Sequence, residues 1–299
     1  DHTMNLIYRA LKILRYEYRF NGYIHVKLIP GAQDHLVQKV VELANRVSSN
    51  IELPSNKSLK LLAPNKTKEQ VLQPLKYARD ITLEKDNKPI GMSTQLIVGA
   101  TPESDKDILK LSSVLYDKAL LKRVYYSAYI PVNDDKNLPS IITKPPLLRE
   151  HRLYQADWLL RFYNFSYEAI VNDQTPNLDE EVDPKTFWAL QNLQYFPMEI
   201  NKASKEELLR IPGIGVKSVY KILRARRYKS LDFYDLLKLR ISLKRAQFFI
   251  TCKGKYKSEV PFYKEEIKQA IIEPPKKKIT QLKQPSLFDM DYSVITGEI

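Results

Sequence analysis

The chain has 299 residues, 43% of them hydrophobic and 10% aromatic, enough to build a core in each of about two domains. Its net charge is +13, and residues 201–299 hold 22 Lys and Arg against 11 Asp and Glu, so nearly all the excess lies in the last third. No apolar run approaches the roughly 18 residues of a membrane span, and no signal peptide is visible. A soluble, cytoplasmic protein with no membrane partner is expected, and the single cysteine, Cys252, cannot form an intramolecular disulfide or by itself hold zinc or an iron–sulfur cluster.

In chain order, a helix is expected over 5–18, followed by alternating strand and helix patterns. Strands are predicted at 22–29, 49–54, 93–99 and 123–131, each bounded by turn residues, with amphipathic helices at 33–47, 69–82 and 105–121. Spacings of about 27 to 44 residues between strand starts fit right-handed crossovers into one parallel sheet.

The strands are two-faced. Ile24, Val26 and Leu28 oppose His25 and Lys27; Ile51 and Leu53 oppose Asn50 and Glu52; Thr94, Leu96 and Val98 oppose Ser93, Gln95 and Ile97; Tyr126, Ala128 and Ile130 oppose Ser127 and Tyr129. A parallel sheet covered on both faces is apolar on both. A split of this kind suits a barrel with helices on the apolar side and a ligand on the polar side. Four βα units cannot close such a barrel, so an N-terminal segment carrying earlier strands is expected to be missing from this chain.

In the last third, Ser204 with Glu207 forms a capping-box pattern, so a short helix is expected to start at Lys205 and stop before Pro212. Gly213 and Gly215 supply a turn, and a second helix starts near Val216. Its N-terminus offers unpaired N–H donors next to the charge of Lys217, a phosphate is the expected guest, and Gly213, Ile214, Gly215, Val216, Lys217, Ser218, Lys221 and Arg224 are the expected DNA contacts. Lys221, Arg224, Arg226, Arg227 and Lys229 follow, placed to track a phosphate backbone. The run Asn201, Ala203, Ser204, Glu206, Glu207, Leu208, Leu209, Pro212, Gly213, Ile214, Gly215 resembles the helix-hairpin-helix family, which binds duplex DNA without reading its sequence. A weaker copy follows at 236–246, where Arg240 stands in place of the hairpin glycine; it is expected to be a structural partner of the first.

The strand segments Phe20-Asn21-Gly22-Tyr23-Ile24-His25-Val26-Lys27, Ser49-Asn50-Ile51-Glu52-Leu53-Pro54, Gln95-Leu96-Ile97-Val98-Gly99 and Tyr125-Tyr126-Ser127-Ala128-Tyr129 look like the later strands of a radical S-adenosylmethionine enzyme. Together with 147–158 and the hairpin they resemble the DNA modification/repair radical SAM proteins, a family named for a genomic link to uracil-DNA glycosylase. The resemblance covers about residues 1–255.

It implies an α/β fold, the C-terminal part of a radical SAM (partial TIM-like) βα barrel at 1–180, followed by an all-α helix-hairpin-helix domain at 181–256. It further implies S-adenosylmethionine and a [4Fe-4S] cluster as cofactors. By resemblance, Asn50 and Glu52 hold the ribose hydroxyls, the backbone around Gly99 lines the adenine site, and Glu103 caps the following helix. Leu53 departs from the threonine common in related synthases. His25 and Lys27 either contact the cofactor's carboxylate or the substrate, or pair with acids inside a filled barrel; Gln95, Ser127 and Tyr129 are further substrate contacts. The chain lacks the Cys-x3-Cys-x2-Cys motif that holds the cluster, so no metal ligands are assigned in it.

Residues 257–299 read as a flexible basic tail, with Glu273-Pro274-Pro275-Lys276-Lys277-Lys278 as its most biased stretch. In it Gln284, Pro285, Ser286, Leu287 and Phe288 are similar to the peptide that bacterial replication and repair proteins insert into the sliding clamp. Three functions remain open: a radical SAM enzyme acting on DNA in its full-length form, a non-catalytic DNA-binding fragment, and a tRNA-modifying radical enzyme.

Overall fold

The computed structural model describes residues 1–84, 90–119 and 121–273. Helix α1 (His2–Lys12) passes through a π-helical turn at Ile13–Glu17 to β1 (His25–Lys27). There follow α2 (Asp34–Leu43), β2 (Arg46–Ser48), α3 (Asn56–Leu62), α4 (Lys68–Glu84), β3 (Gly91–Val98), α5 (Asp105–Ala119) and β4 (Arg123–Ala128). The four strands form one parallel sheet in the order β1-β2-β3-β4. The chain is thus an α/β protein.

Helix α2 is shorter and β2 earlier than expected. Ala44 takes extended backbone and ends the helix, so Val47, which reads as helical, becomes a fully buried strand residue. Beyond Ser48, which lies opposite Ser93, the strand does not simply continue. Glu52 next bridges Leu96, so four steps of one strand match three of its neighbour and one residue is extra. The Thr94 hydroxyl repairs the interruption, accepting from Ile51 N–H and donating to the Ser49 carbonyl. Glu52 itself sits at φ 65°, a conformation that is uncommon for a residue with a side chain.

The register places residues on faces, because aligned residues of paired strands point the same way. His25, Arg46 and Gly91 lie abreast; Lys27, Ser48, Ser93 and Arg123 form the next row; Gln95 aligns with Tyr125 and Ile97 with Ser127. On the opposite face Val26, Val47, Met92, Leu96, Val98, Val124 and Tyr126 are buried and join the core with Val37, Leu75, Ile108 and Leu153 of the helices. The sheet is therefore apolar on one face and polar on the other.

Helices α6 (Leu147–Phe162) and α7 (Tyr167–Ile170) connect this unit to α8 (Pro184–Gln191), β5 (Met198–Glu199), α9 (Lys205–Arg210), α10 (Val216–Ala225), α11 (Phe233–Lys238), α12 (Leu243–Ala246), β6 (Ile250–Cys252), β7 (Lys255–Tyr256) and α13 (Lys264–Ile272). This second region is not all-α, contrary to expectation. β5 pairs parallel with β6, which pairs antiparallel with β7. Lys253 and Gly254, both at positive φ, make the tight turn between β6 and β7, and their amides donate to the Glu199 carboxylate. An aromatic core of Phe165, Trp188, Phe196 and Phe249 fills the space beneath.

The stretch expected to be a flexible tail from residue 257 is structured as far as it is described, to Glu273. Helix α13 packs on α8 with Ile267 fully buried, and Lys268 pairs with Asp179 at 3.1 Å and with Glu181. An amphipathic helix with an apolar anchor outweighs the local bias in composition. The clamp-like segment Gln284 to Phe288 lies outside the described residues.

Candidate nucleic-acid interface

The best-defined candidate site is built by α9, α10 and the turn between them. Ser204 accepts from the Glu207 amide at 3.1 Å, and the Glu207 carboxylate accepts from the Ser204 amide at 2.6 Å, completing the capping box. Ile211 leaves the helical conformation as a residue before proline tends to. Gly213 then takes φ 81°, a left-handed turn that L-residues adopt only with strain, and Ile214 plugs the core at 1% exposure. Gly215 is the N-cap of α10 and offers no side chain to it, so the first-turn N–H groups at Val216, Lys217 and Ser218 have no side-chain cap.

α10 is sharply two-sided. Val219 and Ile222 are buried, whereas Lys217, Lys221 and Arg224 are exposed at the i, i+4, i+7 spacing of one face. Lys221 donates to the Leu239 carbonyl at 2.8 Å, and none of the three has a carboxylate partner among the described residues. Not every cation in this run is available. Arg226 donates to the carbonyls of Ile200 and Ala203, and Lys229 pairs with Asp235 at 2.5 Å.

The second hairpin follows the same path. Asp232 and Asp235 form its capping box, Arg240 occupies the left-handed position at φ 56°, and Ser242 stands at the N-cap of the four-residue α12 without a side-chain capping bond. The two hairpins pack against each other: a Cβ on Gly213 would lie 3.5 Å from the Ala246 amide nitrogen and 3.6 Å from the Arg245 Cβ.

A buried lysine fastens the first turn to the body of the protein, and sequence reasoning missed it. Lys185, 7% exposed, donates to the Ile214 carbonyl at 2.6 Å and lies 4.8 Å from the centre of the Tyr163 ring. Burial pulls its ammonium down to about 7, with Asp183 opposing the shift and Arg245 and Arg210 adding to it. Two residues earlier, Asp183 caps α8 and pairs with Arg245 of the second hairpin. The start of α8 thus holds both hairpins, beside a cavity of about 290 Å³ lined by Trp158, Tyr163, Lys185, Gly213, Gly215 and Arg245.

The residues assigned to S-adenosylmethionine lie at the other region, around the C-terminal ends of the strands. Asn50 donates to Gln95 at 3.4 Å, while Glu52 faces Lys66 at 3.5 Å, so the two engage different neighbours. Lys27 is exposed, with no ion pair among the described residues, and His25 bonds Ser48 at 2.9 Å instead of an acid. Gly99 sits at φ 86°, and a Cβ there would meet Pro146 Cγ at 2.6 Å, which gives it a packing reason to be glycine. Glu103 does not cap α5; Ser104 and Asp107 exchange the cap contacts. Glu103 accepts from Ser58, and although burial would raise its carboxyl, hydrogen bonds from Ser55, Ser58 and Thr101 hold it below its usual value.

These residues do not fit an iron–sulfur cluster. Cys252 is 2% exposed in β6, its thiol is pushed up to about 12 chiefly by burial, and it is the only cysteine in the chain. No group of three or more His, Cys, Asp or Glu side chains among the described residues could hold a metal.

Fold and site together define an α/β protein whose parallel sheet is joined to a paired helical-hairpin region with a basic outer face. No family matches the chain, and no curated protein or solved structure proves similar to it. Among the described residues no helix is long and apolar enough to cross a membrane.

Proposed function

We propose that the chain binds duplex DNA through its phosphate backbone, with the 211–215 turn and α10 as the contact surface. One observation carries the reading: the side-chain-free start of α10 stands beside a single exposed face bearing Lys217, Lys221 and Arg224. Unpaired N–H groups and the helix dipole favour an anion at that point, and the three cations extend the attraction along a strand. Such contacts carry no base readout, so binding should be independent of sequence and strongly salt-dependent.

Fluorescence anisotropy of a short labelled duplex across salt concentrations tests this. Replacing Lys217, Lys221 and Arg224 together by Gln should lower the slope of log affinity against log salt by about 2 to 3, at about 0.9 for each phosphate no longer neutralised. An unchanged slope, or a wild-type protein that does not bind duplex, rejects the proposal. Equal or tighter binding of RNA would replace the DNA assignment with the tRNA one.

A second reading is favoured by the one-sided polarity of the sheet: the strands belong to a radical S-adenosylmethionine enzyme, with Asn50, Glu52, Gly99 and Lys27 holding the cofactor. Because the chain has no cluster ligands, only cofactor binding concerns its own residues. In equilibrium dialysis, Asn50→Ala and Glu52→Ala should each weaken S-adenosylmethionine by about tenfold, the worth of one good hydrogen bond to a charged group. Absence of saturable binding by the wild type removes this reading.

A further inference from the structure

The N-terminal end of the sheet's polar face carries a cationic cluster that neither DNA binding nor cofactor binding uses. Arg46 opens β2 and Arg123 opens β4, with β3 between them. Arg46 aligns with Gly91, where no side chain stands in its way: its Nε lies 3.3 Å from where a Cβ would be. The guanidinium crosses β3 there, and its Nη1 donates to the Tyr125 hydroxyl at 3.2 Å. Arg123 reaches the same tyrosine from its own strand, 4.9 Å from the centre of the Tyr125 ring and 5.7 Å from that of Tyr154. Two arginines from strands that are not neighbours therefore converge on one side chain.

Nothing among the described residues neutralises them. Neither arginine has a carboxylate partner there, and His25, next to Arg46 in the register, adds a third group that can carry positive charge. Burial and the Arg46 charge together hold the His25 imidazole below its usual value, so the repulsion reaches that neighbour. At this end of the face three polar atoms are buried without a partner among the described residues: Arg46 Nε, Arg123 Nε and the hydroxyl of Ser93, a residue wholly shielded from solvent and aligned with Arg123.

Gathering like charges is unfavourable, and an anion relieves it. Guanidinium forks match the oxygens of a phosphate, and the rings of Tyr125 and Tyr154 offer flat apolar surface beside it.

We propose that Arg46 and Arg123 bind the phosphate group of a nucleotide at this end of the sheet. The site is separate from the hairpin surface and from the C-terminal strand ends, so it stands or falls independently of DNA binding and of S-adenosylmethionine binding.

Isothermal titration with a deoxynucleoside 5′-monophosphate and with inorganic phosphate tests it on the full chain. Arg46→Gln and Arg123→Gln should each weaken the nucleotide by about tenfold or more, as removal of a charge-assisted hydrogen bond does. Lys76→Gln, an exposed lysine on α4, should leave it unchanged. Inorganic phosphate should compete but bind more weakly, since it cannot use the rings. A measurement on the wild type guards against misfolded variants: the nucleotide should slow modification of Arg46 and Arg123 by phenylglyoxal, read by mass spectrometry. Absence of saturable binding, no protection of the two arginines, or phosphate binding as tightly as the nucleotide would each overturn the assignment.

Discussion

The two hairpins of the C-terminal region share a backbone path and differ in what they place on it. Both begin with a capping box, both turn through a left-handed residue, and both send an isoleucine into the core, Ile214 in one and Ile241 in the other. The first turn uses Gly213 and opens a ten-residue helix with a charged outer face; the second uses Arg240 and opens a helix of four residues. The first is also fastened by a buried lysine through its own carbonyl, the second by an ion pair between Asp183 and Arg245. The same supersecondary unit thus presents an exposed basic helix in one copy and a single short turn of helix in the other. The difference lies in the residue at the turn and in the length of the helix behind it.

The largest expected effect is the pH dependence of the lysine anchor. Lys185 has a folded value of about 7, below its unfolded value, so the unfolded chain binds more protons between the two. Its contribution to stability is fully present above the unfolded value of about 10.4 and is lost as pH falls through the folded one. Lys185→Met removes that dependence. Denaturant unfolding of wild type and variant, compared at steps from about pH 7 to about pH 10, should show a difference that changes by a few kcal/mol with the wild type gaining as pH rises. A difference that stays flat would mean that the lysine is not buried as a near-neutral amine.

A smaller effect tests the turn residues. Gly213→Val forces a β-branched residue into left-handed backbone and should cost about 1–3 kcal/mol. Arg240→Gly relieves the strain at the equivalent position; after the entropy cost of glycine it should be neutral or stabilising by up to about 1 kcal/mol. Thermal unfolding of the pair checks both signs, and a destabilised Arg240→Gly would assign Arg240 a contact that its exposed side chain does not show.

The smallest concerns DNA and the second hairpin. Lys244→Gln, on the short α12, should change duplex affinity by less than about threefold, against about tenfold or more for the combined substitution of Lys217, Lys221 and Arg224. Equal effects in the anisotropy assay would make the two hairpins equivalent clamps and erase the contrast.

What the sequence revealed follows from how local each feature is. The first hairpin was legible because its determinants, Ser204 with Glu207 and Pro212 with the two glycines, act within a few residues. The alternation of Ile24, Val26 and Leu28 against His25 and Lys27 was legible for the same reason. Lys185 was not, since its burial depends on α8 meeting a turn 29 residues further along. Arg46 was hidden because β2 was placed three residues late, which left Arg46 inside a predicted helix. Arg123 was within a predicted strand, but its convergence with Arg46 depends on cross-strand register that composition cannot give. The β6–β7 turn had a readable signal in Lys253-Gly254, flanked by strand-forming residues, and was overlooked for the basic character of its surroundings.

Amide hydrogen exchange of the full chain with and without duplex DNA tests the central assignment most directly. The first-turn amides of Val216, Lys217 and Ser218 have no side-chain cap and should exchange readily in the free protein. Duplex should slow them, together with Gly213 and Gly215, while residues 240–246 change little. Protection confined to 240–246, or none at 213–218 at saturating duplex, would contradict a phosphate clamp at the first hairpin.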